Sequence, residues 1–368
     1  MERNRRHTAT AILIVTTGYS LFFLLKSANA QETEHANSYY PMFQQTVDKY
    51  HNEEFEDAIK IATDIREQYP DEPAGAFGLL VTYQIIMRNY RTRLYETKFD
   101  SLLNLAIKLS EKAIKRNKKE GRNYFYLGSA YGSRSIYYAQ RGKWLAAFKD
   151  GAKVLKNFNK AVAYSPDFYD AYYGLGLYKY WLCAKSKLLR FLPFSKDNRR
   201  EGIEQIKMAI EKGQILNVDA MHGLTSIYYN EGEFEKALQL SDQLYELYPN
   251  NPSLLYRRGR IYQKLEKWNE AIKIFEQLYD ILKFTKYQSV SYQIECLYHL
   301  AKSHYQLENY LETQRFCQEA LMLEKFCDFS KELDGPLEKY SAIKDQLHKL
   351  NKEVKSIMLT HAIGSAGN

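Results

Sequence analysis

The chain has 368 residues, of which 45% are hydrophobic and 26% are charged, and this balance is sufficient for a folded core. Proline is scarce, with eight residues, and no long glycine- or serine-rich linker interrupts the chain. The formal net charge of +8 is spread along the sequence, so it does not indicate a nucleic-acid-binding protein.

The first thirty residues have the features of an export signal. A basic start rich in arginine precedes an apolar run over 11–25, and Ala28 and Ala30 provide small residues for cleavage after Ala30. The run is short for a membrane span. We therefore expect a signal peptide over 1–30 and a periplasmic or secreted protein, with an uncleaved membrane anchor as the alternative.

From residue 39 onward, apolar residues recur with helical spacing in pairs of segments. Four such helical pairs are predicted in the first part of the chain, over 39–70, 73–117, 123–166 and 168–213. The third and fourth carry Gly128 and Gly176 within their front helices. A small residue at the crossing of two helices allows them to approach closely, so we expect both glycines to contact the adjacent helix.

A basic and apolar segment over 185–200 interrupts the fourth pair. Pro193 should break any helix there. Its candidate membrane or partner contacts are Leu188, Arg190, Phe191 and Phe194. Such a segment is typical of one that lies on a membrane surface or contacts a partner. The alternative is that it covers the ends of the long helices beside it.

Two regular copies of one helical hairpin follow over 219–283. Ala237 and Ala271 occupy the same position in each copy, and 271 − 237 gives a period of 34 residues. Phe234 and Trp268 likewise correspond, and Gly259 lies in the front helix of the second copy. This pattern resembles the tetratricopeptide repeat, which has a bulky residue, Leu-Gly, Tyr, and then Ala, Phe and Pro over about 34 residues.

The resemblance implies an all-α, TPR-like α-solenoid of about seven helical hairpins over 39–333. The seventh hairpin is expected around 294–322. A capping helix over 336–359 would cover the exposed end of the stack, and 360–368 would form a disordered tail. Relative to the repeat pattern, the third and fourth pairs each carry about 14 extra residues. In the third pair they are enough to lengthen both helices by about two turns each, and in the fourth they form the basic and apolar segment.

The sequence contains no recognisable catalytic or nucleotide-binding motif, so we expect no enzyme, no catalytic residue and no cofactor. His299 and His304 are better explained as exposed or packing residues than as metal ligands, and no metal site is predicted. The four cysteines, Cys183, Cys296, Cys317 and Cys327, form no CxxC pair. In an oxidising compartment Cys317 is free to pair with Cys327, or Cys296 with either of them; the alternative is buried free thiols.

In a stack of this kind, function more often comes from the concave face, which the front helices line. The predicted partner-binding residues on this face are Tyr229, Asn230, Tyr256, Arg260, Lys264, Tyr298, Lys302 and Tyr305. Tyrosine rings offer rigid contact area, and arginine and lysine bind carboxylates. Upstream, Tyr173, Tyr180 and Trp181 line the same groove or pack beneath the inserted segment. The alternative for each is a solvated or merely structural residue.

These observations predict an exported, non-enzymatic scaffold that binds a protein or peptide partner in the cell envelope. An alternative is a membrane-associated assembly factor that docks through 185–200. An enzyme with an unrecognised site assembled from distant repeats is a third interpretation.

Overall fold

A computed structural model describes residues 39–185 and 197–366 of the chain. The predicted export signal over 1–30, and the candidate contacts Leu188, Arg190, Phe191 and Phe194, lie outside these described residues. Within the described part, no helix is both long enough and apolar enough to cross a bilayer.

The described chain is a succession of helices that pack in antiparallel pairs. They are α1 over 39–51, α2 (Phe55–Gln68), α3 (Pro73–Tyr90), α4 (Glu96–Arg116), α5 (Gly121–Gln140), α6 (Trp144–Tyr164), α7 (Asp170–Lys185), α8 (Arg199–Lys212), α9 (Asn217–Glu231), α10 (Phe234–Leu247), α11 (Pro252–Lys264), α12 (Trp268–Phe284), α13 (Val290–Gln306), α14 (Tyr310–Leu323) and α15 (Tyr340–Ala366). The first fourteen form seven hairpins, which confirms the predicted all-α repeat architecture.

Each hairpin is held together where an apolar stripe of its return helix meets the front helix. In α12 the stripe consists of Ala271, Phe275, Leu278 and Leu282, all buried, at the spacing of one helix face. Phe275 fills the space left by Gly259, where an added Cβ would lie 2.7 Å from two Phe275 ring atoms. The predicted close approach is therefore confirmed here.

Gly128 and Gly176 have the same role in the long hairpins. A Cβ at Gly128 would lie 3.3 Å from the Phe158 ring, and one at Gly176 would lie 2.3 Å from the carbonyl oxygen of Gly202. Helices α5 and α6 contain 20 and 21 residues, against 13 and 17 in α11 and α12. The extra residues of the third hairpin therefore lengthen both of its helices, as predicted.

The turns inside the hairpins share a left-handed residue. Gly142 and Gly232 have φ values of 70° and 80°, while glutamates occupy the corresponding position in three other hairpins: Glu53, Glu266 and Glu308. In all five the left-handed residue lies two positions before the aromatic residue that begins the return helix. Glycine adopts this conformation without a steric cost, whereas glutamate does not.

The C-terminal helix differs from its predicted bounds. It begins at Tyr340 and continues to Ala366, so 360–366 are helical and not the disordered tail that composition predicted. It packs on α13 and α14, and its buried stripe includes Ile343, Leu347 and Val354. The apolar end of the repeat stack is thereby covered.

The stack curves so strongly that its N-terminal hairpin contacts its C-terminal repeats. Helix α3 packs against α11, and the Phe55 ring lies 5.9 Å from that of Tyr287. After α3, Thr92 and Glu332 form an isolated antiparallel bridge, and the amide of Arg93 donates to the carbonyl oxygen of Lys331 at 2.7 Å. Residues from opposite ends of the repeat array therefore meet across its inner face.

Candidate functional site: the concave face

The front helices face the inside of the curve, where α3 contacts both α5 and α11. Helix α1 also lies on this inner side, since its Tyr50 hydroxyl donates to Asp219 in α9 at 3.2 Å. The concave face is therefore divided in two. The half formed by α11 and α13 is partly covered by other parts of the chain, and the half formed by α3, α5 and α7 retains an open cavity.

A buried cluster around Arg91 closes the first half. The Arg91 guanidinium lies 3.6 Å from the ring centre of Tyr292 and 4.6 Å from that of Tyr256, and it pairs with the carboxylate of Glu295. The Tyr256 hydroxyl donates to the same carboxylate at 2.5 Å. Burial opposes ionisation of Glu295, but the charge of Arg91 and the bonds from His299 and Tyr256 outweigh it and lower its pKa to about 2.

Four of the predicted partner-binding residues contact these covering parts of the chain. Tyr256 and Arg260 are buried, and Arg260 pairs with Glu338 at 2.6 Å. The Tyr298 hydroxyl donates to Gln346 at 2.6 Å, and that of Tyr305 donates to Glu353 at 2.5 Å. The segment that leads into α15, and α15 itself, thus occupy the positions where a partner was expected.

The other four predicted partner-binding residues keep at least part of their side chains exposed to solvent. Lys264 and Asn230 are exposed, and Tyr229 and Lys302 are half-buried. Burial lowers the pKa of Lys302, and the neighbouring charges of Arg260 and Lys264 lower it further, against the opposing effect of Glu338. Within the described residues neither lysine has a carboxylate partner. We call Tyr229, Lys264 and Lys302 the basic groove surface; that it binds a partner stays a prediction.

Asn230 points away from this surface. Its side-chain amide donates to the Tyr180 hydroxyl at 2.7 Å, and that hydroxyl donates to Glu231 at 2.5 Å. Tyr180 belongs to α7, and its side chain is fully buried where α7 packs against α9. Asn230 therefore joins neighbouring repeats.

The open half of the concave face contains a cavity of about 290 Å³, which we call the central cavity. Tyr173 and Trp181, but not Tyr180, line this cavity, which is separate from the basic groove surface. Its other apolar walls come from α1, α3, α5, α6 and α7. Sequence reasoning missed the contribution of α1, because nothing in the repeat pattern places the first helix opposite the fourth hairpin.

One end of the central cavity is polar. Arg88 and Asp219 lie in its wall, and Asp219 accepts from the Tyr50 hydroxyl at 3.2 Å and contacts His51 Nε2 at 3.3 Å. The ring of His222 stacks on that of His51 with centroids 5.9 Å apart. Burial opposes ionisation of Asp219, but the charge and hydrogen bond of His51, followed by the charge of Arg88, lower its pKa to about 2.

The histidines and cysteines considered from sequence have packing roles. His299 stacks on Phe275 at 5.0 Å and His304 on Phe316 at 5.4 Å. No group of three or more histidine, cysteine or acidic side chains within 39–185 and 197–366 is arranged to hold a metal ion. All four cysteines are free thiols, so none of the disulfides considered above is formed.

Comparison with known proteins finds a family model that matches one part of the chain. A family model described as the anaphase-promoting complex, cyclosome, subunit 3 matches residues 217–278, which span the hairpins α9–α10 and α11–α12. No curated protein matches the chain.

Solved structures that resemble the chain share little sequence with it. The Cut9–Hcn1 hetero-tetramer of the APC/C is 16% identical with a TM-score of 0.49, and the match covers 74% of this chain but only 43% of that one. YrrB, described as a TPR protein with an unusual peptide-binding site, is 16% identical with a TM-score of 0.41, covering 59% and 92%. The type IV pilus biogenesis factor PilW is 17% identical with a TM-score of 0.44, covering 64% and 93%.

The matched family model covers the same two hairpins in which the repeat signature is most regular. These hairpins have the paired helices, the 34-residue period between Ala237 and Ala271, and the Gly259–Phe275 contact that the signature requires. On this evidence residues 217–278 form two repeats of the tetratricopeptide type, and the described part of the chain has the fold of a TPR-like α-solenoid.

Proposed function

We propose that this protein is a non-enzymatic scaffold that binds an acidic segment of a partner protein at the basic groove surface. The observation that carries the proposal is the pair of lysines on adjacent front helices, Lys264 and Lys302, which have no carboxylate partner in the described part of the chain. Arg260 beside them is already neutralised by Glu338. Lysines in this arrangement form charge-assisted bonds with carboxylates, and Tyr229 adds rigid contact area.

The test is charge reversal at the two lysines. We expect Lys264→Glu with Lys302→Glu to abolish recovery of a partner that the wild type retains after crosslinking in the envelope fraction. Once that partner is identified, its affinity for the purified double variant should fall by at least about tenfold, since charged hydrogen bonds contribute about 1.5–3 kcal/mol. Arg260 is not a suitable position, because its replacement would leave Glu338 unpaired and disturb the buried cluster.

A matched control carries the same charge change on the outer face of the stack. Lys273→Glu with Lys283→Glu places two glutamates at exposed positions of α12, and it should bind the partner as the wild type does. Equal loss of binding in both double variants would contradict a local site. Recovery of no partner by the wild type under crosslinking would contradict the proposal itself.

We further propose that the scaffold is exported to the periplasm or beyond. The support is the basic and apolar start of the sequence with its small residues before Gln31. N-terminal sequencing of the mature protein from a periplasmic or secreted fraction should begin at Gln31. A protein that keeps Met1 and remains in the cytoplasm would contradict export.

A second candidate function is that of a membrane-associated assembly factor that docks through 185–200. The observation that favours it is the basic and apolar composition of this segment, in which Leu188, Phe191 and Phe194 lie close in sequence to Arg190. Flotation with anionic liposomes, with and without deletion of 186–196, separates the two functions. Unchanged flotation of the deletion variant, or no flotation of the wild type, rejects docking through this segment.

A further inference from the structure

The central cavity has the walls of a site for a hydrocarbon chain. Its apolar lining includes Val47, Val81, Ile85, Ile136, Leu177 and Trp181. An engineered apolar cavity of about 150 Å³ in another protein binds benzene, so about 290 Å³ provides room for roughly twelve non-hydrogen atoms. Ile136, at the edge of the cavity, is 47% exposed, so a ligand has access from solvent.

The polar end of the cavity carries an excess of positive charge. Arg88 is exposed and its side chain makes only one hydrogen bond among the described residues, from Nε to the side-chain oxygen of Asn89 at 3.4 Å. Arg257 on α11 has no ion pair in the described chain either. Burial lowers the pKa of Arg257, and the nearby charge of Arg88 lowers it further. The two guanidinium groups therefore repel each other, and neither forms an ion pair with a carboxylate among the described residues.

The acidic groups close to Arg88 cancel only part of this excess. Asp219 is ionised and offsets one of the two positive charges, and it already accepts from Tyr50 and contacts His51, at 3.2 and 3.3 Å. Burial raises the pKa of Glu53 to about 8, so this carboxyl group is largely protonated at neutral pH. Beside them, the Nε2 atom of His222 is buried without a hydrogen-bond partner among the described residues. The end of an apolar cavity thus retains unmatched cationic and polar groups.

We infer that the central cavity binds a small amphipathic anion, an unbranched hydrocarbon tail of about ten carbons that ends in a carboxylate. The tail would replace water along the apolar walls, and the carboxylate would accept hydrogen bonds from the free guanidinium nitrogens of Arg88. The cavity lies between α1, α3, α5 and α7, whereas the basic groove surface lies on α9, α11 and α13. The two binding activities are therefore separable.

The probe is decanoate, which has twelve non-hydrogen atoms, measured by isothermal titration calorimetry below its micellar concentration. We expect saturable binding at one site, at least about tenfold tighter than that of 1-decanol. Trp181 in the cavity wall should report the same binding through its fluorescence, and Trp181→Phe should remove that signal. Absence of saturable decanoate binding by the full-length protein would overturn the inference.

Two variants locate the ligand. At Gly132, which also lines the cavity, an added Cβ would approach only Val154, at 3.9 Å, so Gly132→Leu should fill the cavity without a backbone clash and should block both ligands. Arg88→Gln should remove the preference for decanoate over 1-decanol, and Arg88→Lys should restore part of it. Arg200→Gln, at an exposed position of α8, is the matched control and should bind as the wild type does.

Circular dichroism and the thermal midpoint show whether each variant is folded. Wild-type affinity for decanoate in folded Gly132→Leu would place the ligand elsewhere and overturn the site. An unchanged preference for decanoate over 1-decanol in folded Arg88→Gln would overturn the inferred contact between Arg88 and the carboxylate.

Discussion

The guanidinium of Arg91 and the carboxylate of Glu295 are 204 residues apart in sequence and form a buried ion pair. Arg91 follows the last residue of α3, and Glu295 belongs to the front helix of the seventh hairpin. The pair therefore joins the second repeat to the last one. It is enclosed by Tyr256 and Tyr292, so that the inner face of the C-terminal repeats is filled where a partner was expected.

Removal of Arg91 should destabilise the protein strongly. In Arg91→Met the carboxylate of Glu295 stays buried without its counter-charge, and breaking a buried pair in this way costs about 3–5 kcal/mol. Urea unfolding followed by circular dichroism gives the change in the free energy of unfolding. Arg315→Met is the control, because Arg315 and its partner Glu312 are both about half-exposed and such pairs contribute about 1 kcal/mol or less. Equal losses in the free energy of unfolding of the two variants would show that the buried Arg91–Glu295 pair contributes no more stability than an exposed one.

The glycines in the front helices should respond to alanine in opposite ways. Gly259→Ala places a Cβ at 2.7 Å from the Phe275 ring, and overpacking of this kind costs about 1–3 kcal/mol. Gly132→Ala meets only Val154 at 3.9 Å, and the gain in helix propensity should stabilise the protein by up to about 1 kcal/mol. Thermal unfolding of the two variants measures both effects. A stabilising Gly259→Ala would contradict the close packing of α11 on α12.

Glu53 should make the stability depend on pH. Burial raises its pKa from 4.5 to about 8, against the hydrogen bonds from Tyr90 and Asn89. Between these values the folded protein keeps a proton that the unfolded chain releases, so this group lowers the free energy of unfolding as pH rises from about 4.5 to 8. Glu53→Gln mimics the protonated form. Relative to wild type, it should therefore gain on the order of 2–4 kcal/mol between about pH 5 and pH 8.5.

Urea unfolding of wild type and Glu53→Gln at several pH values measures this difference directly. Other groups that titrate in the range are common to both proteins, so their effects cancel in the comparison. A difference between the two proteins that does not change with pH would show that Glu53 is ionised in the folded state.

The left-handed glutamates in the hairpin turns should be replaceable by glycine with a gain in stability. Glu266 and Glu308 have φ values of 56° and 58°, a conformation that costs a residue with a side chain about 1–2 kcal/mol. Part of this is offset by the greater freedom of glycine in the unfolded chain, so Glu266→Gly and Glu308→Gly should each stabilise by up to about 1 kcal/mol. Differential scanning calorimetry gives the change.

The reverse substitution tests the same geometry. Gly232 has φ of 80° at the equivalent turn, and an added Cβ there would meet no other atom within 4 Å. Gly232→Glu should therefore destabilise through backbone strain alone. If Gly232→Glu left the stability unchanged, the result would contradict the strain expected of the left-handed conformation at this turn.

The sequence was sufficient to predict the parts of the fold that depend on contacts between adjacent helices. The period between Ala237 and Ala271 predicted the hairpins, and Gly128, Gly176 and Gly259 predicted where paired helices touch. These contacts are between neighbours in sequence, and a small residue opposite an aromatic residue specifies them locally. The front-helix positions of Tyr256 and Arg260 were likewise predictable, but their burial was not, because it depends on Arg91 and Glu338 from distant parts of the chain.

By itself, the sequence of this protein determined that it is a stack of helical hairpins with an extra C-terminal helix. Only the tertiary structure decided which parts of the inner face are filled and which remain open, as in the basic groove surface and the central cavity. The physical reason is that the curvature of a stack is the sum of small rotations between successive repeats. No single repeat encodes that sum, and so no local pattern shows that Arg91 reaches Glu295.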